Sequence, residues 1–69
     1  MRIEWEDDAR IRVDFSGGAA VVSANRAGLL SLSKQFAALA EEAKGSHIHY
    51  DEGNSLGEGS AELIVERAE

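Results

Sequence analysis

The sequence predicts an α+β fold: an antiparallel sheet of about five strands in the order βββαββ, with one amphipathic helix packed on one face. Three observations lead there. Ile11, Val13 and Phe15 alternate with Arg10, Arg12 and Asp14, the period-two pattern of a half-buried strand. Leu29, Leu32, Phe36, Leu39, Ala40 and Ala43 recur at intervals of three and four, the stripe of a helix packed on one side. Ser46–Asp51 and Ala61–Glu66 then alternate again, giving two more strands.

The first three strands read as a meander. Gly17-Gly18 suits a two-residue hairpin turn that needs positive φ. That turn sets Phe15 opposite Ala20, Val13 opposite Val22 and Ile11 opposite Ala24, so all six apolar side chains share one face. Ahead of it, a two-residue loop at Asp7-Asp8 would place Trp5 opposite Arg10 and mix the faces. A three-residue loop through Ala9 instead places Trp5 opposite Ile11 and Ile3 opposite Val13. The same register pairs Glu6 with Arg10, Glu4 with Arg12 and Arg2 with Asp14, each pair worth about 0.2–1 kcal/mol across strands.

Asn25 is the expected helix cap, because its short amide can accept from the first free backbone N–H groups. Gly28 is tolerable in a first turn. Lys44 suits the negative end of the helix dipole, and Gly45 is the expected left-handed stop. In the C-terminal hairpin, Ile48 and Tyr50 join Leu63 and Val65 beneath the helix. His47, His49, Asp51, Glu62, Ile64 and Glu66 then share the opposite face. The connecting stretch Glu52–Gly59 is too rich in glycine for a helix and long for a hairpin loop.

Size and composition bound the function. Residues 1–69 are read as one domain, short enough that its net stability is small. There is no cysteine, which excludes disulfides and thiolate metal sites and suits a reducing cytoplasm. Charges occupy the N-terminus where a signal peptide would carry an apolar core, so no targeting segment is expected. The longest uncharged run, Phe15–Asn25, is too short to span a bilayer, so no membrane partner is expected. Net charge is −6, and it is uneven: among residues 46–69 only Arg67 offsets Asp51, Glu52, Glu58, Glu62, Glu66 and Glu69. An acidic C-terminal third repels phosphates and attracts basic surfaces, which argues against nucleic acid and for a basic protein.

Chemistry-bearing patterns are sparse. No serine sits in a nucleophile-elbow sequence, and the glycine pairs open no helix that could cradle a phosphate, so no enzyme activity and no cofactor are expected. His47 and His49 project from one face of a strand, and Asp51 or Glu62 could complete a ligand set; the alternative function is therefore a small metal- or ligand-binding domain. Against it, no third ligand is fixed by spacing. Leu56, apolar in a polar loop, reads either as an anchor onto the core or as a contact residue for a partner.

Gly45-Ser46-His47-Ile48-His49-Tyr50-Asp51, then Asn54-Ser55-Leu56, then Glu58-Gly59-Ser60-Ala61-Glu62-Leu63-Ile64-Val65-Glu66 resemble the immunity protein 32 family of bacterial polymorphic toxin systems. Gly28 through Ala40 is similar to that family's helix, so the resemblance runs over residues 25–67. Two positions depart from its pattern: Tyr50 replaces an aliphatic residue, and Gly57 a bulkier or acidic one. The resemblance implies a cytoplasmic antidote that binds a cognate toxin and blocks it without catalysis, and it brings no catalytic residues. The expected partner-binding residues are His47, His49, Asp51, Leu56, Glu58, Glu62, Ile64 and Glu66 of the C-terminal hairpin, with the chain a monomer or homodimer.

Overall fold

Two glycines decide where the first hairpin turns. Gly17 and Gly18 take φ values of 56° and 81°, a conformation that side-chain-bearing residues rarely adopt. They join β1 (Ile11–Ser16) to β2 (Ala19–Ala24) in the register expected from the sequence, Ile11 opposite Ala24, Val13 opposite Val22 and Phe15 opposite Ala20. The computed structural model describes residues 1–69; after β2 come α1 (Arg26–Leu39), β3 (His47–Tyr50) and β4 (Leu63–Glu66). β3 and β4 pair antiparallel, with Ile48 opposite Val65 and Tyr50 opposite Leu63.

The fold is α+β with one helix, but the expected five-strand sheet is not formed. The strands make two separate two-stranded sheets, β1-β2 and β3-β4. The N-terminal segment is no strand and does not pair with β1. That edge of β1 is taken by the glycine-rich loop instead: Gly57 donates to the Ile11 carbonyl at 2.9 Å, and Ala61 to the Val13 carbonyl at 2.7 Å. The Ser60 hydroxyl accepts from the Val13 N–H at 3.3 Å, and the Arg12 guanidinium donates to the Glu58 carbonyl at 2.8 Å.

Displaced from β1, the N-terminal segment bonds to the helix. Gln35 donates to the Glu4 carbonyl at 2.8 Å, and the Ser31 hydroxyl accepts from the Glu6 N–H at the same distance. The expected charge pairs dissolve accordingly: Glu6 meets Lys34, Arg12 meets Asp14 on its own strand, and Arg2 meets Glu4. Ile3 and Trp5, expected on the apolar face, are exposed, with Trp5 edge-on to the Tyr50 ring at 6.2 Å between centroids.

This arrangement also rotates the buried face of α1. Its buried residues are Gly28, Ser31, Leu32, Gln35 and Leu39, whereas Leu29 and Phe36, expected inside, are exposed. The Asn25 cap forms as expected, its amide oxygen accepting from Gly28 N at 2.8 Å. The same oxygen accepts from Arg10 N at 3.0 Å, and the amide nitrogen donates to the Asp8 carbonyl at 2.7 Å, so the cap also fixes the entry into β1. The helix stops at Leu39, short of the expected Lys44-Gly45 end. Bonds of shorter span close its last turn, and Arg67 donates to the Ala40 and Glu42 carbonyls at 2.8 and 2.7 Å, satisfying acceptors that the helix leaves open. Gly45 is left-handed at φ 90°, but in the turn into β3.

The core comprises Ile11, Val13, Leu32, Leu39, Ile48, Tyr50 and Leu56. Phe15 and Val22 belong to the apolar face of the first hairpin yet lie beyond this cluster, and Phe15 is 72% exposed.

Gly28 is held by proximity rather than by its φ. A Cβ there would stand 2.7 Å from the Arg10 carbonyl oxygen and 2.9 Å from Cγ1 of Ile11. Gly28→Ala, which would favour an isolated helix, is expected to destabilise the protein by about 1–3 kcal/mol in chemical denaturation, because the backbone of β1 must move.

Tyr50 gives a second expectation. Its hydroxyl donates to Gln35 Oε1 at 2.7 Å, and burial pushes its pKa from 10.0 up to about 12. Ionisation is therefore easier in the unfolded chain. The stabilising contribution is complete below pH 10, declines above it and is lost as pH rises through about 12. Tyr50→Phe should cost about 1–3 kcal/mol at neutral pH, since Gln35 loses a buried partner, and should lack this alkaline component in urea melts at increasing pH.

Candidate functional site

The alternation of β3 decides which side chains reach solvent. Ile48 and Tyr50 are buried and His47 and His49 are exposed, so one sequence pattern supplies both the core and an outer face. Pairing with β4 then sets His47 opposite Glu66 and His49 opposite Ile64. Ile64 is 58% exposed and lies between Glu62 and Glu66 along the strand, an apolar side chain bordered by carboxylates.

His49 gathers the acidic groups around it. Its Nε2 lies 3.2 Å from Glu62 Oε2 and 3.9 Å from Asp51 Oδ2. Carboxylates only accept, so the Glu62 contact is made with the proton on Nε2. All three side chains are solvent-accessible, and such a pair contributes about 0–1 kcal/mol.

The base of the loop is built by Asp51 and Asn54. The Asp51 carboxylate accepts from Gly53 N at 2.9 Å and Asn54 N at 3.1 Å. Asn54 returns a bond from its amide to the His49 carbonyl at 3.2 Å, fixing the loop under the histidine. The Asp-x-Gly-Asn order is the sequence signal for that turn; Asn54 and Arg67 were not among the expected site residues, and both act in holding the hairpin.

The expected site residues thus divide. His49, Asp51 and Glu62 are brought together, with Ile64 and the His47–Glu66 pair beside them on the same face. Glu58 is exposed but sits in the turn whose carbonyl Arg12 holds, at the edge of β1. Leu56 is a correction. It is 6% exposed and part of the core, so it anchors the loop and is not accessible to a partner.

No group of three or more His, Asp or Glu side chains is disposed to hold a metal ion, and no helix is long and apolar enough to cross a membrane. What remains is a small α+β protein presenting an acidic hairpin face with an apolar centre. A family model described as immunity protein 32 matches residues 20–68, and the chain belongs to that family. No curated protein and no solved structure matches it.

With His47 and His49 on separate pairings, added zinc is expected to leave the melting temperature unchanged. A stoichiometric zinc isotherm of submicromolar affinity, abolished in His47→Ala, would restore the metal-binding reading.

Proposed function

We propose that this protein is a cytoplasmic immunity protein of a polymorphic toxin system, which neutralises a cognate toxin by binding it and performs no catalysis. Membership of the immunity protein 32 family supports the class. The exposed face of the β3–β4 hairpin is the binding surface, and Ile64 carries that assignment. An exposed isoleucine rimmed by Glu62, Glu66, Asp51 and the two histidines has the apolar centre and polar border of a recognition surface. The excess of carboxylates in residues 46–69 favours a basic toxin, whose approach it would accelerate.

The loop strengthens the reading. Its ends are fixed by Asp51 and by the bonds to β1, while Glu52, Gly53 and Asn54 stay exposed beside His49. A rigid base with an accessible tip lets the face engage a partner with little ordering cost.

The test uses Glu62→Arg and Ile64→Arg, both at exposed positions and each checked for folding by circular dichroism. Binding to the toxin encoded beside the immunity gene should weaken at least about tenfold in each, equivalent to about 1.4 kcal/mol or more. Ser33→Arg, on the exposed side of α1, should bind as the parent does. Unchanged affinity in both hairpin variants would remove this face.

A further inference from the structure

β2 is the one strand whose outer edge nothing in the chain covers and no charge guards. Its register fixes which backbone groups are free. Asn25 N bonds to the Arg10 carbonyl, and Ile11 and Val13 bond away from β2 to the loop. In the paired register Arg12, Asp14 and Ser16 therefore face Ser23, Val21 and Ala19, and the N–H and C=O groups of Ala20, Val22 and Ala24 point outward. Five of the six residues of β2 are exposed. Its side chains, Ala-Ala-Val-Val-Ser-Ala, include no charge, whereas β3 carries two histidines and β4 ends on Glu66. Exposed edges are ordinarily blunted by charge, proline or a bulge, and β2 has none of these.

We propose that this edge pairs with β2 of a second copy, joining two hairpins into a four-stranded antiparallel sheet about a two-fold axis at Val22. The outward groups select the register. Val22 meets Val22 of the second copy, and Ala20 meets Ala24, so residues with free backbone groups fall opposite one another along the whole strand. Every cross-strand neighbour is alanine, valine or serine, so no bulky side chains and no like charges are opposed along the two strands. For a chain of net charge −6, this is an edge on which two copies can meet without facing carboxylates.

The apolar face of the hairpin continues across the junction. Val13, Val22 and their two counterparts form one row. Phe15 and Ala20 extend into Ala24 and Ile11 of the second copy. α1 begins over those last two residues, since a Cβ on Gly28 would stand 3.1 Å from the Ala24 Cβ. The overhanging Phe15 is thereby directed across a small alanine toward the helix start of the other copy, where Leu29 is 56% exposed. A basic toxin finds nothing to complement on this uncharged strand; an identical strand complements it group for group. The interaction does not depend on the toxin-binding reading and is measured without toxin.

Six residues extend about 20 Å, a small interface, so the dissociation constant should be on the order of micromolar. Sedimentation velocity of the intact protein should show a monomer at nanomolar and a dimer at high micromolar concentration. Val22→Lys, at an exposed position, should stay folded and monomeric throughout. Because the chain has no cysteine, Val22→Cys provides a register test. Directly paired residues lie about 5.5 Å apart between Cα atoms, within disulfide reach. Under mild oxidation Val22→Cys should form a covalent dimer, while Val21→Cys, on the other face and two residues off the axis from its counterpart, should not. A monomer at every concentration, a dimer that persists in Val22→Lys, or equal cross-linking at both cysteine positions would overturn the proposal. So would loss of toxin binding in Val22→Lys from a parent that is monomeric alone, which would give the edge to the toxin.

Discussion

A buried glutamine holds this fold together. Gln35 is 1% exposed, accepts from the Tyr50 hydroxyl and donates to the Glu4 carbonyl. One side chain of the helix thus ties the C-terminal hairpin to the N-terminal segment. No ladder of backbone bonds joins the two sheets, so their relative position depends on the shared apolar core and on ties of this kind. A buried amide is costly unless its groups are bonded, and no buried side-chain polar atom lacks a partner. The network gives little net free energy for being formed and loses much if broken, so it restricts the chain to one arrangement more than it deepens stability.

The loop after β3 supplies the second constraint. Asp51 starts it with a side-chain-bonded turn, Leu56 enters the core, and Gly57, Ser60 and Ala61 bond along β1. Its irregular backbone performs the edge-covering task of a strand. The hairpin that carries the candidate site is thereby attached to the other hairpin through the loop and to the end of the helix through Arg67. A face intended for recognition gains from such attachment, because its side chains need not be ordered when a partner arrives.

These two constraints also explain what could be read in the sequence. The register of the first hairpin is legible, since Gly17-Gly18 fixes its turn, whereas period-two alternation fixes which residues of β3 and β4 face inward but not which of them pair. Asn25 was legible from residue type alone. The N-terminal segment was not. Ile3 and Trp5 alternate with charges as a strand would, but the backbone groups of Glu6 and Glu4 between and beside them are satisfied by a serine and a glutamine more than twenty residues away. For the same reason hydrophobicity alone puts the helix stripe off phase: it selects Leu29 and Phe36, whereas Ser31 and Gln35 are inside because they have partners there. Of the site, the His47/His49/Glu62/Ile64/Glu66 face followed from alternation. The fate of Leu56 did not, because a lone leucine among glycines carries no periodicity to say which way it points.

The two surfaces left open differ in their physics, and that difference suits each to the role proposed for it. The hairpin face is charged, so its attraction acts at a distance and is weakened by salt, properties suited to fast capture of a separate protein. The β2 edge is uncharged, and its attraction lies in backbone bonds that form only in register. Pairing through β2 closes on itself: it uses the free edge of the first hairpin in both copies, and the opposite edge, along β1, is already occupied by Gly57–Ala61. An isologous contact of this kind yields a closed dimer rather than a growing fibre. It also leaves the β3–β4 face uncovered on the other hairpin of each copy, so two toxin-binding faces would remain available in one assembly. The proposed self-association and the proposed toxin capture therefore draw on different hairpins and need not compete.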